Sequence, residues 1–343
     1  MDTINQTLKE EFSLSDKVVC NIVTLIDEGN TIPFIARYRK ELTGAADDAL
    51  LRKFYERLKQ LRALEAKRDD ILRLIGEQGA LTDELKKEIE QAATQAELDD
   101  LYRPYRPKRK TRASVAKEKG LEPLAELILT QTASLQEAEA AAASLVGKTV
   151  ASVEEAFSGA ADILAESISD DAQVRAFVRR KIWKDGFISV KAAKDEDSTY
   201  AMYYDFSEPV RKVANHRILA MNRGEKEGFL NVTLETDETD ILSGIARRYV
   251  KKDGNRQLCE LVNAAIKDAY KRLIAPSVEN DIRSELTERA QESAIDVFSE
   301  NLSRLLMQPP VKGHVTMGLD PGYRMGCKVA VVDATGKVLD TAV

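Results

Sequence analysis

The sequence predicts a mainly α fold: multi-helix N-terminal and central regions with a helix-turn-helix-like part, then the first strands of an α/β domain. Apolar residues recur at helical spacing almost from the start to Met307, and hydroxyl-x-x-Glu helix starts repeat along the way. From His314 onward the pattern changes to sustained strand alternation, and the chain is expected to end inside that domain.

Composition agrees. Of 343 residues, 43% are hydrophobic, 31% charged and 6% aromatic, which suits helices with solvated faces and speaks against an all-β protein. The length exceeds one ordinary domain, and the pattern divides it into residues 1–195, 196–310 and 311–343.

The first helix follows Leu14-Ser15, where Val18, Val19, Ile22, Leu25 and Ile26 form one stripe that Gly29-Asn30 stops. Thr31-Ile32-Pro33 restarts a helix through Lys40, because proline fits a first helical turn that has no use for its missing N–H. Two helices around a tight turn suit either a groove-reading helix-turn-helix or an ordinary packing hairpin.

From Asp47 to about Ile75 the apolar positions Leu51, Phe54, Leu58, Leu61, Ile71 and Ile75 keep helical phase, predicting a long rod. Capping boxes are expected at Thr94–Glu97, Ser134–Glu137 and Ser152–Glu155, and Ala138–Ala143 reads as a close-packing helix. A helix carrying Val174, Phe177, Val178 and Ile182 ends near Asp185-Gly186, and Lys194–Ser198 reads as an exposed turn. Beyond it the pattern gives a helix near Pro209–Asn222, a strand at Phe229–Leu234, and helix from Asp240 until Pro309-Pro310.

In the final segment Val315, Met317 and Leu319 alternate with Thr316, Gly318 and Asp320. Lys328–Val332 gives a second strand, Asp333-Ala-Thr-Gly336 a turn, and Lys337–Val343 a third strand.

Charge and chemistry narrow the function classes. Fifty-one Lys and Arg against 57 Asp and Glu leave a net charge of −6, so bulk charge cannot coat nucleic acid and any contact must be local. Cys20, Cys259 and Cys327 are far apart with no C-x-x-C, and His216 and His314 are the only histidines. These argue against a zinc site and a disulfide framework, and no cofactor is expected. The polar N-terminus and the absence of a run of ~18 apolar residues predict a cytoplasmic protein with no membrane partner.

The densest basic signal is Tyr102–Arg112, eleven residues of which six are cations and none is acidic. Pro104 and Pro107 favour polyproline II, which would put Arg103 and Arg106 on one edge and Tyr102 and Tyr105 on another. With Lys108, Arg109, Lys110 and Arg112 they form a candidate nucleic-acid contact, in which guanidinium groups take phosphates and rings take bases. The alternative is a strap between helices whose arginines pair with acids such as Asp99 and Asp100.

A second segment, Tyr203–Gly228, mixes aromatics with Arg211, Lys212, His216, Arg217 and Arg223. No nucleophile motif accompanies His216, so it reads as structural. Asp320, at the end of a strand before Pro321-Gly322, is the one catalytic candidate, but a two-metal nuclease site needs several convergent carboxylates. Asp333 reads as a turn aspartate.

Gly318-Leu-Asp-Pro-Gly322 with Arg324 and Gly326 resembles the opening of the YqgF subgroup of RNase H-like domains. The segments Thr31–Gly44, Leu101–Lys110, Asn215–Ala220 and Arg223-Gly-Glu225 resemble signatures of the Tex family of bacterial transcription accessory proteins, in that family's order. The resemblance implies a helical N-terminal region with a helix-turn-helix-like part, then a YqgF domain, helix-hairpin-helix units and an S1-type OB-fold; the last units and most of YqgF are expected to lie beyond this sequence. It further implies binding of nucleic acid, RNA especially, in a role linked to transcription; the leading expectation is an accessory protein with DNA as a further ligand, the transcription machinery as a partner and no catalysis in this chain. A metal-dependent nuclease using Asp320 and a pure interaction scaffold are the alternatives.

Overall fold

The computed structural model describes residues 3–107, 109–147, 149–194, 196–308, 313–322 and 326–343. The chain divides into two units. The first comprises Met1–Ser189, Ser207–Arg211 and Thr233–Arg283, and the second Val190–Phe206, Lys212–Val232 and Ser284–Val343.

The N-terminal helices are α1 (Thr3–Phe12), α2 (Asp16–Asp27), α3 (Ile32–Tyr38), α4 (Lys40–Thr43) and the 30-residue α5 (Asp48–Glu77). Ser15 caps α2 by accepting from the Val18 N–H, and Pro33 sits in the first turn of α3, both as the sequence predicts. The predicted stripe of α2 joins Leu8, Ile35, Leu51, Phe54 and Leu58 in one buried cluster. The helix α1 was not anticipated, because Thr3–Phe12 gives only Ile4, Leu8 and Phe12 to the core.

The rod α5 runs on into a second cluster, where Ile71 and Ile75 meet Ile89 of α6 (Asp83–Gln91) and Leu98 of α7 (Gln95–Tyr102). After α7 come a short 3-10 turn (Arg103–Tyr105), α8 (Arg112–Glu118), α9 (Glu122–Thr130), α10 (Leu135–Ala143), α11 (Val153–Asp170) and α12 (Ala172–Asp185). The helix α11 is the axis of this part: α8, α9 and α10 pack on it, as does α15 (Arg256–Asp268).

Thr94–Glu97 and Ser134–Glu137 are complete capping boxes. The third is half of one: the Glu155 N–H reaches Ser152, but the Glu155 carboxylate accepts from the Ala151 N–H and from Lys119. Ala138 and Ala142 are fully buried, so the alanine-rich α10 does pack closely.

Where α9 ends, Gln131 takes a left-handed backbone (φ 54°) and is fully buried. Its Nε2 donates to the Tyr249 carbonyl (2.8 Å), its Oε1 accepts from the Lys251 N–H (2.9 Å), and its carbonyl accepts from the Asn255 N–H (2.7 Å). One residue thus fixes the turn between α14 (Glu238–Tyr249) and α15. The helix predicted as almost unbroken from Asp240 is therefore interrupted here, then continues through a π-helical turn (Ala269–Ile274) into α16 (Ala275–Leu306).

Three strands, β1 (Phe187–Ala192), β2 (Asp205–Pro209) and β3 (Leu230–Glu235), form a sheet in the order β2-β1-β3. Only β3 was legible; β1 and β2 alternate too weakly. The helix expected near Pro209–Asn222 accordingly starts later, as α13 (Asn215–Lys226), because Pro209 belongs to β2 and a 3-10 turn follows it. The expected boundary at 195/196 falls on Asp195, which with Pro309, Pro310 and Arg324 lies outside the described residues.

In the second unit, α16 changes character along its length. Leu286 and Ala290 are buried, yet Ile295, Phe298, Leu302 and Leu305 face outward. The final strands β4 (Thr316–Asp320), β5 (Lys328–Val332) and β6 (Val338–Ala342) form the predicted antiparallel meander. Asp333 closes its turn by accepting from the Thr335 and Lys337 N–H groups, and the Thr335 hydroxyl and these N–H groups hold its carboxyl below the usual range. The fold is mainly α with an α/β start at its C-terminal end, as the sequence predicts.

Candidate nucleic-acid interface

The basic segment begins as the continuation of α7. Polyproline II does not hold in its first half: Arg103 is helical (φ −53°, ψ −42°), and the Arg106 N–H donates to the Tyr102 carbonyl at 3.1 Å. The reason is that Pro104 falls in the first turn of the 3-10 helix, where its fixed φ fits and no donor is missed. Arg106, before Pro107, does become extended (φ −66°, ψ 131°).

The first half is anchored. Arg103 pairs with Asp170 (3.3 Å); burial, then the neighbouring Arg175 charge, pulls its guanidinium below the ordinary value. Arg106 lies 3.7 Å from Asp99, which Lys67 holds more closely at 2.6 Å, and 5.9 Å from the centre of the Tyr102 ring. Tyr102 and Tyr105 are half-buried against the Ile71–Leu98 cluster, and the Tyr105 carbonyl accepts from Gln78 at 3.0 Å.

Asp100, a suggested partner for these arginines, is turned inward instead. It bridges Arg175 (2.5 Å) and Arg179 (2.6 Å) of α12, while Arg175 also donates to Ser277 (2.8 Å) and Arg179 reaches Asp281 (3.3 Å) on α16. Burial opposes the charge on Arg179, but the bonds to Asp100 and Asp281 outweigh it and hold that guanidinium above its ordinary value. Arg175 is 1% exposed, and its Nη1 makes no hydrogen bond among the described residues. Sequence reasoning missed this brace. Its one signal was a pair of arginines, Arg175 and Arg179, one helical turn apart beside the apolar Val174, Val178 and Ile182.

The second half is different. Arg109, Lys110 and Arg112 are exposed, and none makes a hydrogen bond or ion pair among the described residues; Lys108 lies outside them. Arg112 acts on Asp162 only at a distance: burial raises that carboxyl, and the charges of Arg272 and then Arg112 oppose the rise. A capping box ends the run, with the Ser114 N–H donating to Thr111 Oγ1 (3.0 Å) and the Thr111 N–H to Ser114 Oγ (2.8 Å). The cations of 109–112 are thus displayed between two fixed ends.

The remaining candidates do not join this surface. His216 is exposed in the first turn of α13. Asp320 stands opposite Lys328 in the β4–β5 register, and no group of three metal-ligating side chains exists among the described residues. No helix among them is long and apolar enough to cross a membrane.

The described residues thus define a mainly helical, two-unit chain that displays a basic run and carries a three-stranded antiparallel sheet at its C-terminal end. Residues 2–76 match the Tex-like protein N-terminal domain, 133–298 the Tex central region-like family and 314–343 the Tex protein YqgF-like domain. The chain belongs to the Tex family. It is 46% identical over 341 residues to the uncharacterized protein YdcI of Bacillus subtilis (98% of this chain, 47% of that one). Against the transcriptional accessory protein Tex of Neisseria gonorrhoeae it is 40% identical over 351 residues (99% and 46%). The human S1 RNA-binding domain-containing protein 1 is 30% identical over 358 residues (98% and 35%). The chain therefore spans a little under half the length of the bacterial relatives.

Proposed function

We propose that this chain is a non-catalytic, cytoplasmic accessory protein of transcription that binds single-stranded nucleic acid, RNA in particular and DNA as well, with helices as scaffold and Arg109, Lys110 and Arg112 as its primary contact. One observation carries the reading: in a chain of net charge −6, these adjacent cations are exposed and unpaired among the described residues, while those just before them are tied to Asp170 and Asp99. Displayed, unengaged cations are what a phosphate backbone selects. The relatives named for transcription and for an S1 RNA-binding domain support the same direction.

The role proposed for Asp320 is structural. A two-metal phosphodiesterase requires convergent carboxylates, and across the strand pair Asp320 has Lys328 as its register partner.

The test is a gel-shift titration of labelled single-stranded RNA at two salt concentrations, with the unmodified chain and with Arg109→Ser/Lys110→Ser/Arg112→Ser. Binding that weakens in the variant, with a flatter slope of log K against log salt, supports the reading. An unchanged slope removes this segment from it. A second reading, a scaffold that docks the transcription machinery, is favoured by the Arg103–Asp170 pair, which ties the end of α7 to the end of α11. Absence of any binding at low salt would favour that scaffold.

A further inference from the structure

The short helix α3 and the residues after it carry a second unusual surface. Phe34 and Tyr38 are four residues apart on α3, their ring centres 5.3 Å from each other, and Tyr38 is 57% exposed. The Arg39 guanidinium lies 5.3 Å from the centre of the Phe34 ring. Arg37 and Lys40 are exposed, and among the described residues neither they nor Arg39 makes an ion pair.

Their neighbours behave otherwise. Lys9 pairs with Asp16, Arg52 with Asp48, Arg57 with Glu11 and Arg62 with Asp27, so these four acids of the helical cluster are already engaged. Glu41, next in the chain, is exposed and unpaired among the described residues, leaving residues 37–41 with three cations and one acid. An excess positive charge is thus concentrated beside a ring that a second ring holds in place. A braced tyrosine loses little freedom when something stacks on it.

The same helix is poorly made for reading a duplex. Its first turn presents Ile32, Pro33 and Phe34, none of which offers a side-chain donor or acceptor to a base edge, and the helix ends after two turns where Arg39 leaves helical geometry (φ −128°).

We propose that the surface centred on Tyr38 is a second contact for single-stranded nucleic acid, taking an unpaired base on the Tyr38 ring and the adjoining phosphates on Arg37 and Lys40. This rests on the nucleic-acid reading above and adds to it a stacking site away from the basic segment in sequence.

The test uses the whole chain, a labelled oligouridine and a duplex RNA of equal length. Tyr38→Ala should weaken oligouridine binding about fivefold or more, leave the duplex unaffected, and leave the salt slope unchanged, while Tyr38→Phe should bind as the unmodified chain does. Arg37→Ser/Lys40→Ser should lower the salt slope by about 0.7 per lost phosphate contact. A 4-thiouridine oligomer, irradiated with the unmodified chain, should crosslink to the peptide bearing Tyr38; this readout decides the matter even where Tyr38→Ala lowers Tm.

Oligouridine binding that depends on Arg109–Arg112 but is indifferent to Tyr38, Arg37 and Lys40, with no crosslink on that peptide, overturns the proposal and leaves the basic segment standing. Equal loss on duplex and single strand overturns stacking. No binding by the unmodified chain at low salt removes both readings together.

Discussion

Arg103 and Arg109 stand six residues apart in one basic run, yet the fold treats them oppositely. Arg103 is half-buried against Asp170, next to the Asp100–Arg175–Arg179 brace, whereas Arg109 is exposed with no partner among the described residues. The difference teaches that a cluster of like charge is not one functional unit. A helix end converts its root into structure and leaves only its tip for a ligand.

The largest effect should come from the root. Asp100→Ala removes the buried carboxylate that Arg175 and Arg179 share, leaving them only Ser277 and the half-exposed Asp281, and loss of one partner of a buried pair costs about 3–5 kcal/mol. Urea denaturation should show that fall, and a loss below ~1 kcal/mol would mean that the brace does not hold α7 in place.

The next comparison sets root against tip directly. Arg103→Ser should destabilise by on the order of 1 kcal/mol and change nucleic-acid affinity little. The triple change at Arg109, Lys110 and Arg112 should reverse that ranking, with stability within about 0.5 kcal/mol and the salt slope reduced by about 0.7 per contact. If both variants lose affinity equally, the division of the segment is wrong.

Arg106 sits at the border. Its exposed pair with Asp99 is worth at most about 1 kcal/mol, and Asp99 keeps Lys67 when Arg106 is removed. Arg106→Ser should therefore barely move Tm, and its affinity loss should fall between those of Arg103→Ser and Arg109→Ser.

The smallest effect is electrostatic. Asp162 is raised chiefly by burial and held down in part by Arg112, so Arg112→Ser should raise its NMR titration midpoint further. Because the folded value already exceeds the unfolded one, Asp162 contributes most to stability in acid, below the unfolded carboxylate range. That contribution is lost as pH rises through its folded value. An Asp162 midpoint that ignores Arg112 would place Arg112 fully among the unengaged cations.

Much of this was legible in the sequence, for identifiable reasons. Ser15, Thr94 and Ser134 announce their helices because a cap is a local interaction. Val315, Met317 and Leu319 announce β4 because alternation is local too. What stayed hidden depends on distant partners: Arg175 finds Asp100 75 residues away, and β1 is defined by neighbours on either side rather than by its own period. In the basic segment, composition located the charge, but only the partners Asp170 and Asp99 distinguish the held arginines from the displayed ones.

Gln131 carries a consequence for dynamics. The amides of Lys251 and Asn255 lie in a surface turn, yet they donate to a residue that is itself fully buried. Hydrogen exchange there should be governed by opening of the helical core rather than by loop motion, so these two amides should exchange on the slow timescale of α11 and α15. A turn that looks peripheral is in this sense part of the slowest-opening layer of the molecule.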